Sequence, residues 1–247
     1  MKIFKIFTIV LLAGATLCAG VKRYDIKSGI IEYKLSGGGS MMGISTKTEG
    51  HAKVIFKDYG NVELRDEVIS STTMGQTTKN RNLSKFVGGT IYSVDFEEKR
   101  IITMSPEMLK NKKDLQKLGK EMMEQMGGKI VGKGKILGYP CEIWEVMGSK
   151  IWLYKGVPLK SESNMMGMKH TEVATKAKFN VHIPDSAFKL PDYPVMTMSQ
   201  MIQQEMQKSQ QPEKETAPEQ MPQIDQKQMQ QMQEMMKSLG EMFGGGK

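Results

Sequence analysis

Apolar and polar residues alternate with period two along most of this chain. From Ile30 to Leu35 the order Ile-Ile-Glu-Tyr-Lys-Leu predicts a strand that ends at Ser36 and three glycines. Residues 45–58 continue with Thr48, Ala52, Val54 and Phe56 among polar neighbours, and Tyr59-Gly60-Asn61 is a turn signal. Val62, Leu64 and Val68 open the next extended stretch, and the Thr-rich run from Thr72 to Lys79 reads as an exposed strand. Ile91, Val94 and Phe96 lead into the polar turn Glu97-Glu98-Lys99-Arg100, followed by Ile101, Ile102 and Met104. Short β-patterned runs separated by Gly or charged turns predict a meander of antiparallel strands.

The period then changes. Ser105 is a good N-cap, and Pro106 suits the first helical position. Leu115, Leu118, Met122 and Met126 recur at three- and four-residue steps, and Gly127-Gly128 supplies a stop, so an amphipathic helix is predicted over 106–126. Strands resume at Ile130 to Leu137, where glycines predict a bend or bulge. Tyr139 to Val146 and Lys150 to Tyr154 predict a hairpin. A three-residue loop Met147-Gly148-Ser149 sets Trp144 opposite Trp152, whereas a two-residue loop shifts that register by one. Val157-Pro158-Leu159 is read as a turn, residues 168–183 as a long alternating strand, and Pro184 to Phe188 as the closing segment. No internal repeat is evident.

From about residue 195 the composition shifts to Gln, Met and Glu, with prolines at 212, 218 and 222, as in a linker with transient helix. Met229, Met232, Met236, Leu239 and Phe243 then mark a terminal amphipathic helix, a possible contact for a protein partner. The expected organisation is a signal peptide at 1–20, a β-rich domain at 21–194 and a low-complexity tail at 195–247.

The first segment sets the compartment. Lys2 and Lys5, a short apolar run from Ile6 to Leu17, and the small residues Ala19 and Gly20 are the parts of a secretory signal, and the run is too short for a membrane span. The expectation is a periplasmic protein that is not integral to the membrane. Lipid anchoring at Cys18 is disfavoured because Leu17 is bulky. Removal of residues 1–20 leaves Cys141 as the only thiol, placed in the strand pattern Tyr139, Cys141, Ile143 and therefore expected to be buried and inert.

Methionine is the compositional outlier, at 23 of 247 residues, and the net charge is +8. The stretch between residues 21 and 204 holds 28 basic and 20 acidic residues. Such a surplus suits anionic head groups; nucleic acid would need a clustered patch or a binding motif, and neither is present. The basic residues are read as solvated strand faces.

The segments Gly138-Tyr-Pro-Cys-Glu-Ile-Trp144, Lys150-Ile-Trp-Leu-Tyr-Lys-Gly-Val-Pro-Leu-Lys160, Asn180 and Phe188-Lys-Leu-Pro191 resemble exported domains whose sheet is like that of LolA/LolB-type lipoprotein carriers. The resemblance, in order of elements over residues 25–190, implies a mainly β (α+β) fold. Its form would be a curved, antiparallel, partly open β-barrel with the inserted helix and a flexible C-terminal tail. It also implies an apolar concave face and no set of catalytic residues. An exposed apolar concavity has to be covered by a helix or by a ligand, and the 106–126 helix is the natural lid, with flexible Met side chains. The expected ligand-binding residues are Leu118, Met122, Met126, Trp144 and Trp152, for a lipid or other apolar ligand, with no cofactor.

The alternative is copper. Asn164-Met-Met-Gly-Met-Lys-His170 holds soft thioethers beside an imidazole, the donors that suit Cu(I). If 165–170 is extended, Met166, Met168 and His170 share one face. No enzyme is expected. His51, His170 and His182 lie far apart, no Gly-x-Ser-x-Gly elbow occurs, and Ser36-Gly-Gly-Gly-Ser40 lacks the Lys-Ser/Thr of a phosphate loop.

Overall fold

A computed structural model describes residues 23–41, 44–104, 123–124, 126–165 and 167–210. The first meander comprises β1 (Gly29–Met41), β2 (Ile44–Lys57), β3 (Val62–Thr73), β4 (Gln76–Val87), β5 (Thr90–Asp95) and β6 (Arg100–Met104). The second comprises β7 (Lys129–Ile136), β8 (Tyr139–Val146), β9 (Ser149–Tyr154), β10 (Val157–Met165) and β11 (Met168–Phe179). The expected mainly β architecture is present: with the short edge strand β12 (Val195–Thr197), the described residues form one open sheet of twelve strands in the order β12-β6-β5-β4-β3-β2-β1-β11-β10-β9-β8-β7. Antiparallel pairing of β1 with β11 fuses the two meanders. Strand β12 lies parallel to β6 and carries the sheet three residues past position 194. The compact unit bearing the sheet ends at Gln203.

Local chemistry explains the tight turns. At Met147-Gly148 φ is 47° and 73°, and at Lys155-Gly156 it is 49° and 83°. Two successive positive φ values make the two-residue hairpin whose twist matches the strands, and Gly at the second position removes half of the cost. These turns correct two expectations. The β8–β9 loop is two residues long, so Trp144 faces Ile151 and Trp152 faces Ile143. The turn into β10 is Lys155-Gly156, and Pro158 lies within the strand beside a register shift. The expected bulge in β7 occurs between Ile130 and Gly132.

The three glycines do not end β1. Gly37, Gly38 and Gly39 stay in the strand, paired with His170 and Lys169 of β11 and with Thr48, Lys47 and Thr46 of β2. A Cβ on Gly37 would lie 2.7 Å from the Lys169 carbonyl oxygen, so these glycines allow close approach of neighbouring backbones rather than forming a phosphate loop.

Curvature is written in contacts that skip strands. The Arg65 guanidinium of β3 reaches Glu172 of β11 at 2.8 Å, across β2 and β1. The Tyr33 hydroxyl of β1 donates to the Pro158 carbonyl of β10 at 2.6 Å, across β11. The rings of Tyr139 in β8 and Phe179 in β11 are 5.1 Å apart, with two strands between. Neighbouring strands are about 4.8 Å apart, so a flat sheet would hold the members of each pair roughly 10–14 Å apart. The inner face therefore curls on itself, as in an open barrel.

The helix predicted over 106–126 lies almost wholly outside the described residues, but its stop is visible. Gly128 N–H donates to the Met123 carbonyl at 2.6 Å and Gly127 N–H to the Glu124 carbonyl at 2.9 Å, with Gly127 at φ 77°. This pair of hydrogen bonds with a left-handed glycine is a Schellman C-cap. A further helix, α1 (Met198–Gln210), follows β12. Thr197 and Gln200 cap it reciprocally, with Gln200 N–H on Thr197 Oγ1 at 3.2 Å and Thr197 N–H on Gln200 Oε1 at 2.8 Å.

Candidate functional site

The inner face is built by alternation. Ile31, Tyr33 and Leu35 of β1 and Ala52, Val54 and Phe56 of β2 turn the same way and are buried. Val157, Leu159, Cys141 and Ala174 of the second meander join the same cluster. Residues 23–28 strap one end of it. Arg23 and Tyr24 N–H groups donate to the Tyr59 carbonyl at 2.8 and 3.0 Å, and Asp25 N–H donates to the Lys155 carbonyl at 3.0 Å. The strap thus ties the β2–β3 connection to the β9–β10 turn and drives Tyr24 and Ile26 into the core.

Beside this cluster stands an aromatic wall. Tyr139 packs 4.8 Å from Tyr154, and Tyr154 lies 5.5 Å from Phe179, which in turn is 6.4 Å from Phe56. Tyr139, Trp152, Tyr154 and Phe179 all pack on the buried cluster while remaining half-buried themselves. Lys160 Nζ sits 4.4 Å over the Trp152 ring. The inner face therefore offers apolar, mostly aromatic surface that is not fully covered.

The same face carries buried charge. Arg65 forks between Glu67 and Glu172, which are 8% and 3% exposed, and Asn82 Nδ2 donates to Glu67 Oε1 at 3.2 Å. Burial works against the Arg65 charge, but the Glu172 and Glu67 carboxylates outweigh it and raise its pKa above the ordinary arginine value. At the strapped end, the buried Tyr24 hydroxyl donates to Glu63 at 2.5 Å, and Arg23 pairs with Glu63 at 3.4 Å. Burial pushes the Tyr24 and Tyr33 hydroxyls well above the usual phenol range, so they are permanent donors. Toward the opposite end the face turns polar: Thr46 and Thr73 hydroxyls pair at 2.9 Å and Thr48 and Ser71 at 3.5 Å.

Of the expected ligand residues, the two tryptophans lie on opposite faces of the sheet. Trp152 lies in the aromatic wall. Trp144 is 3% exposed but lies on the opposite face of β8 from Cys141. Met126 is exposed at the C-cap, just before Gly127, and Leu118 and Met122 fall outside the described residues. Tyr33, Arg65, Glu67, Glu172, Tyr154 and Phe179 were not singled out in the sequence.

Part of the copper set is described: Met165 pairs with Met168 where β10 turns into β11, and Gly167 has φ 79°. Met168 and His170 share the inner face of β11, while Met166 lies outside the described residues. His51 points to the opposite face from His170, and His182 is exposed in the segment after β11. Among the described residues, no three His, Cys, Asp or Glu side chains come together as a metal cluster. Cys141 is buried as expected, its Sγ donating to the Tyr139 carbonyl at 3.4 Å, and burial raises its thiol pKa.

The outer face of the same strands differs sharply. By register, β1 places Glu32 and Lys34 there, β2 Lys47, Glu49, Lys53 and Lys57, and β3 Asp66. To these β4 adds Lys79, Arg81 and Lys85, and β11 adds Lys169, Lys176 and Lys178. Across these five strands the outer face carries a formal surplus of seven positive charges, and the inner face a surplus of two negative charges. At one end the outer face is apolar, with Ile30, Ile55, Val62 and Leu64 beneath Ile183 and Phe188 of the closing segment.

No protein-family profile matches the chain, and no curated protein matches it in sequence. Several solved structures are similar in shape. An uncharacterized conserved protein from Thermus thermophilus is 8% identical with a TM-score of 0.39, over 68% of this chain and 90% of that one. MucB is 13% identical at 0.38, over 68% of this chain and 58% of its own. A LolA superfamily protein from Nitrosomonas europaea is 10% identical at 0.32, over 70% and 94%. The structural neighbours thus include members of the LolA superfamily, at low TM-scores. No described helix is long and apolar enough to cross a membrane.

Proposed function

We propose that this chain is a non-catalytic binding protein of the cell envelope. It holds an apolar ligand, a lipid or an apolar segment of a partner protein, against the inner face of the sheet. The observation that carries this reading is the half-buried wall of Tyr139, Trp152, Tyr154 and Phe179 on an otherwise closed core. Aromatic groups supply large apolar contact area, and an apolar concave surface left partly open favours a ligand that covers it. The basic, apolar and small-residue order of the first 20 positions supports export to the periplasm.

The test is binding of a fluorescent fatty-acid probe. Trp152→Ala should weaken binding at least tenfold, as expected for a central aromatic anchor, while Trp152→Phe retains most of it. Trp144→Phe, on the other face of β8, should leave the affinity unchanged. No binding of the probe by the unaltered protein, or equal losses at both tryptophans with the fold intact, would count against the reading.

A further inference from the structure

The positive charge of this chain is sorted onto one surface. On the outer face of β11-β1-β2-β3-β4, every cross-strand row holds at least one cation, from Lys178 and Lys85 at one end to Lys169 and Lys47 at the other. Carboxylates neutralise only part of it: Lys47 pairs with Glu49, Lys57 with Asp185, Arg81 with Asp66, and Lys176 with Glu32. Lys34, Lys53, Lys169 and Lys178 are exposed and have no ion pair among the described residues. Strands about 4.8 Å apart and same-face residues roughly 7 Å apart along a strand place neighbouring lysines within about one Debye length, ~8–10 Å at physiological salt. Their fields therefore add.

We propose that this outer face docks the protein on an anionic phospholipid bilayer, leaving the inner face directed away from the lipid plane. Charge complementarity selects this occupant. The cations are nine lysines and one arginine, and no Phe, Tyr or Trp side chain of the five strands points to this face, His51 being its one ring. Lysine is a mobile point charge that suits a diffuse array of head groups, whereas nucleic-acid surfaces add guanidinium forks and stacked rings to their lysines. The surface is broad and sheet-like rather than grooved, and the closing segment covers only its apolar end. The docking inference stands on the charge pattern of the outer face and does not require that the inner face bind a ligand.

The experiment is co-sedimentation of the full chain with vesicles of equal parts phosphatidylglycerol and phosphatidylcholine. Binding should be present at low salt, fall steeply as salt rises, and be absent with phosphatidylcholine alone. Each lysine near an anionic surface contributes about fivefold in partition. The variant K34Q/K53Q/K169Q/K178Q should therefore lose at least tenfold, and the same four positions changed to Arg should retain binding. K129Q/K133Q/K135Q/K150Q removes equal charge from β7 and β9 and should stay within about twofold of the unaltered protein. The apolar N-terminal run is common to all variants, so the differences report the face alone. Equal losses in the two glutamine variants, no binding to the mixed vesicles, or tighter binding to duplex DNA that the first variant loses would each overturn the proposal.

Discussion

Arg65 and Asp66 are neighbours in β3, yet they belong to two different surfaces. Arg65 points inward, its side chain 17% exposed, and spans the curl of the sheet to the Glu172 side chain, which is 4% exposed. Asp66 points outward and takes a fork from Arg81, whose Nε and Nη2 donate at 2.9 and 2.7 Å, with side chains 35% and 52% exposed. Both are arginine–carboxylate pairs of good geometry. The first closes a curved surface and would strand charge if broken; the second stands in water and screens part of a basic field. A one-residue step along a strand thus separates the groups that shape the inner face from the groups that present the outer one.

The sharpest way to break this comparison is to remove Arg65. Arg65→Leu leaves Glu67 and Glu172 buried, with Asn82 as the remaining donor to Glu67. Breaking a buried pair from one side costs about 3–5 kcal/mol because the partner charge stays desolvated. Urea unfolding should show that loss. Arg65→Lys should recover little, since one ammonium cannot fork to two carboxylates. A loss below about 1 kcal/mol would mean that water reaches the two carboxylates and that the inner face is more open than its burial indicates.

A second effect of the curl should be smaller. Gly29 begins β1 where the aromatic rings converge: a Cβ there would lie 2.5 Å from Phe56 Cε1 and 2.9 Å from Phe179 Cδ1. Gly29→Val should cost about 1–3 kcal/mol through overpacking. Adding Phe56→Leu should return part of that loss, because it vacates the space the valine needs. Equal stability of the valine variant and the parent would show that β1 can move away from the rings.

Much of the fold was legible in local pattern. Alternation at Ile31, Tyr33 and Leu35, the glycine bulge in β7, the Gly127-Gly128 stop and the buried Cys141 all follow from rules that act within a few residues. Loop length was not: Met147-Gly148 accepts positive φ at methionine, a conformation more usual for Asn or Asp, so the hairpin is tighter than expected and the tryptophans part. The glycine run at 37–39 signals an ending by local propensity, but neighbouring backbones require it inside the strand. Glu172 carries no local mark at all. It becomes part of a site only because β11 pairs with β1 and the sheet curls, bringing it to an arginine 107 residues away. The same long-range pairing turns an unremarkable alternation of lysines into one basic face.

The smallest effect is expected on that outer face, at Arg81 and Asp66. The pair is forked, and Arg81 also lies 5.0 Å over the Phe96 ring. Even so, half of the arginine is in water, where holding two side chains in one geometry costs much of what the charges gain. A double-mutant cycle with Arg81→Ala and Asp66→Ala should give a coupling of about 1 kcal/mol or less. In 1 M salt, where the Debye length is about 3 Å, that coupling should shrink further, while the coupling of Arg65 to Glu172 should hardly change. A salt-insensitive coupling of several kcal/mol at Arg81 would place this pair in the same energetic class as Arg65. It would also mean that a partly desolvated surface surrounds the outer fork, in which case the lysines beside it would be less free to meet an external anion than their exposure implies.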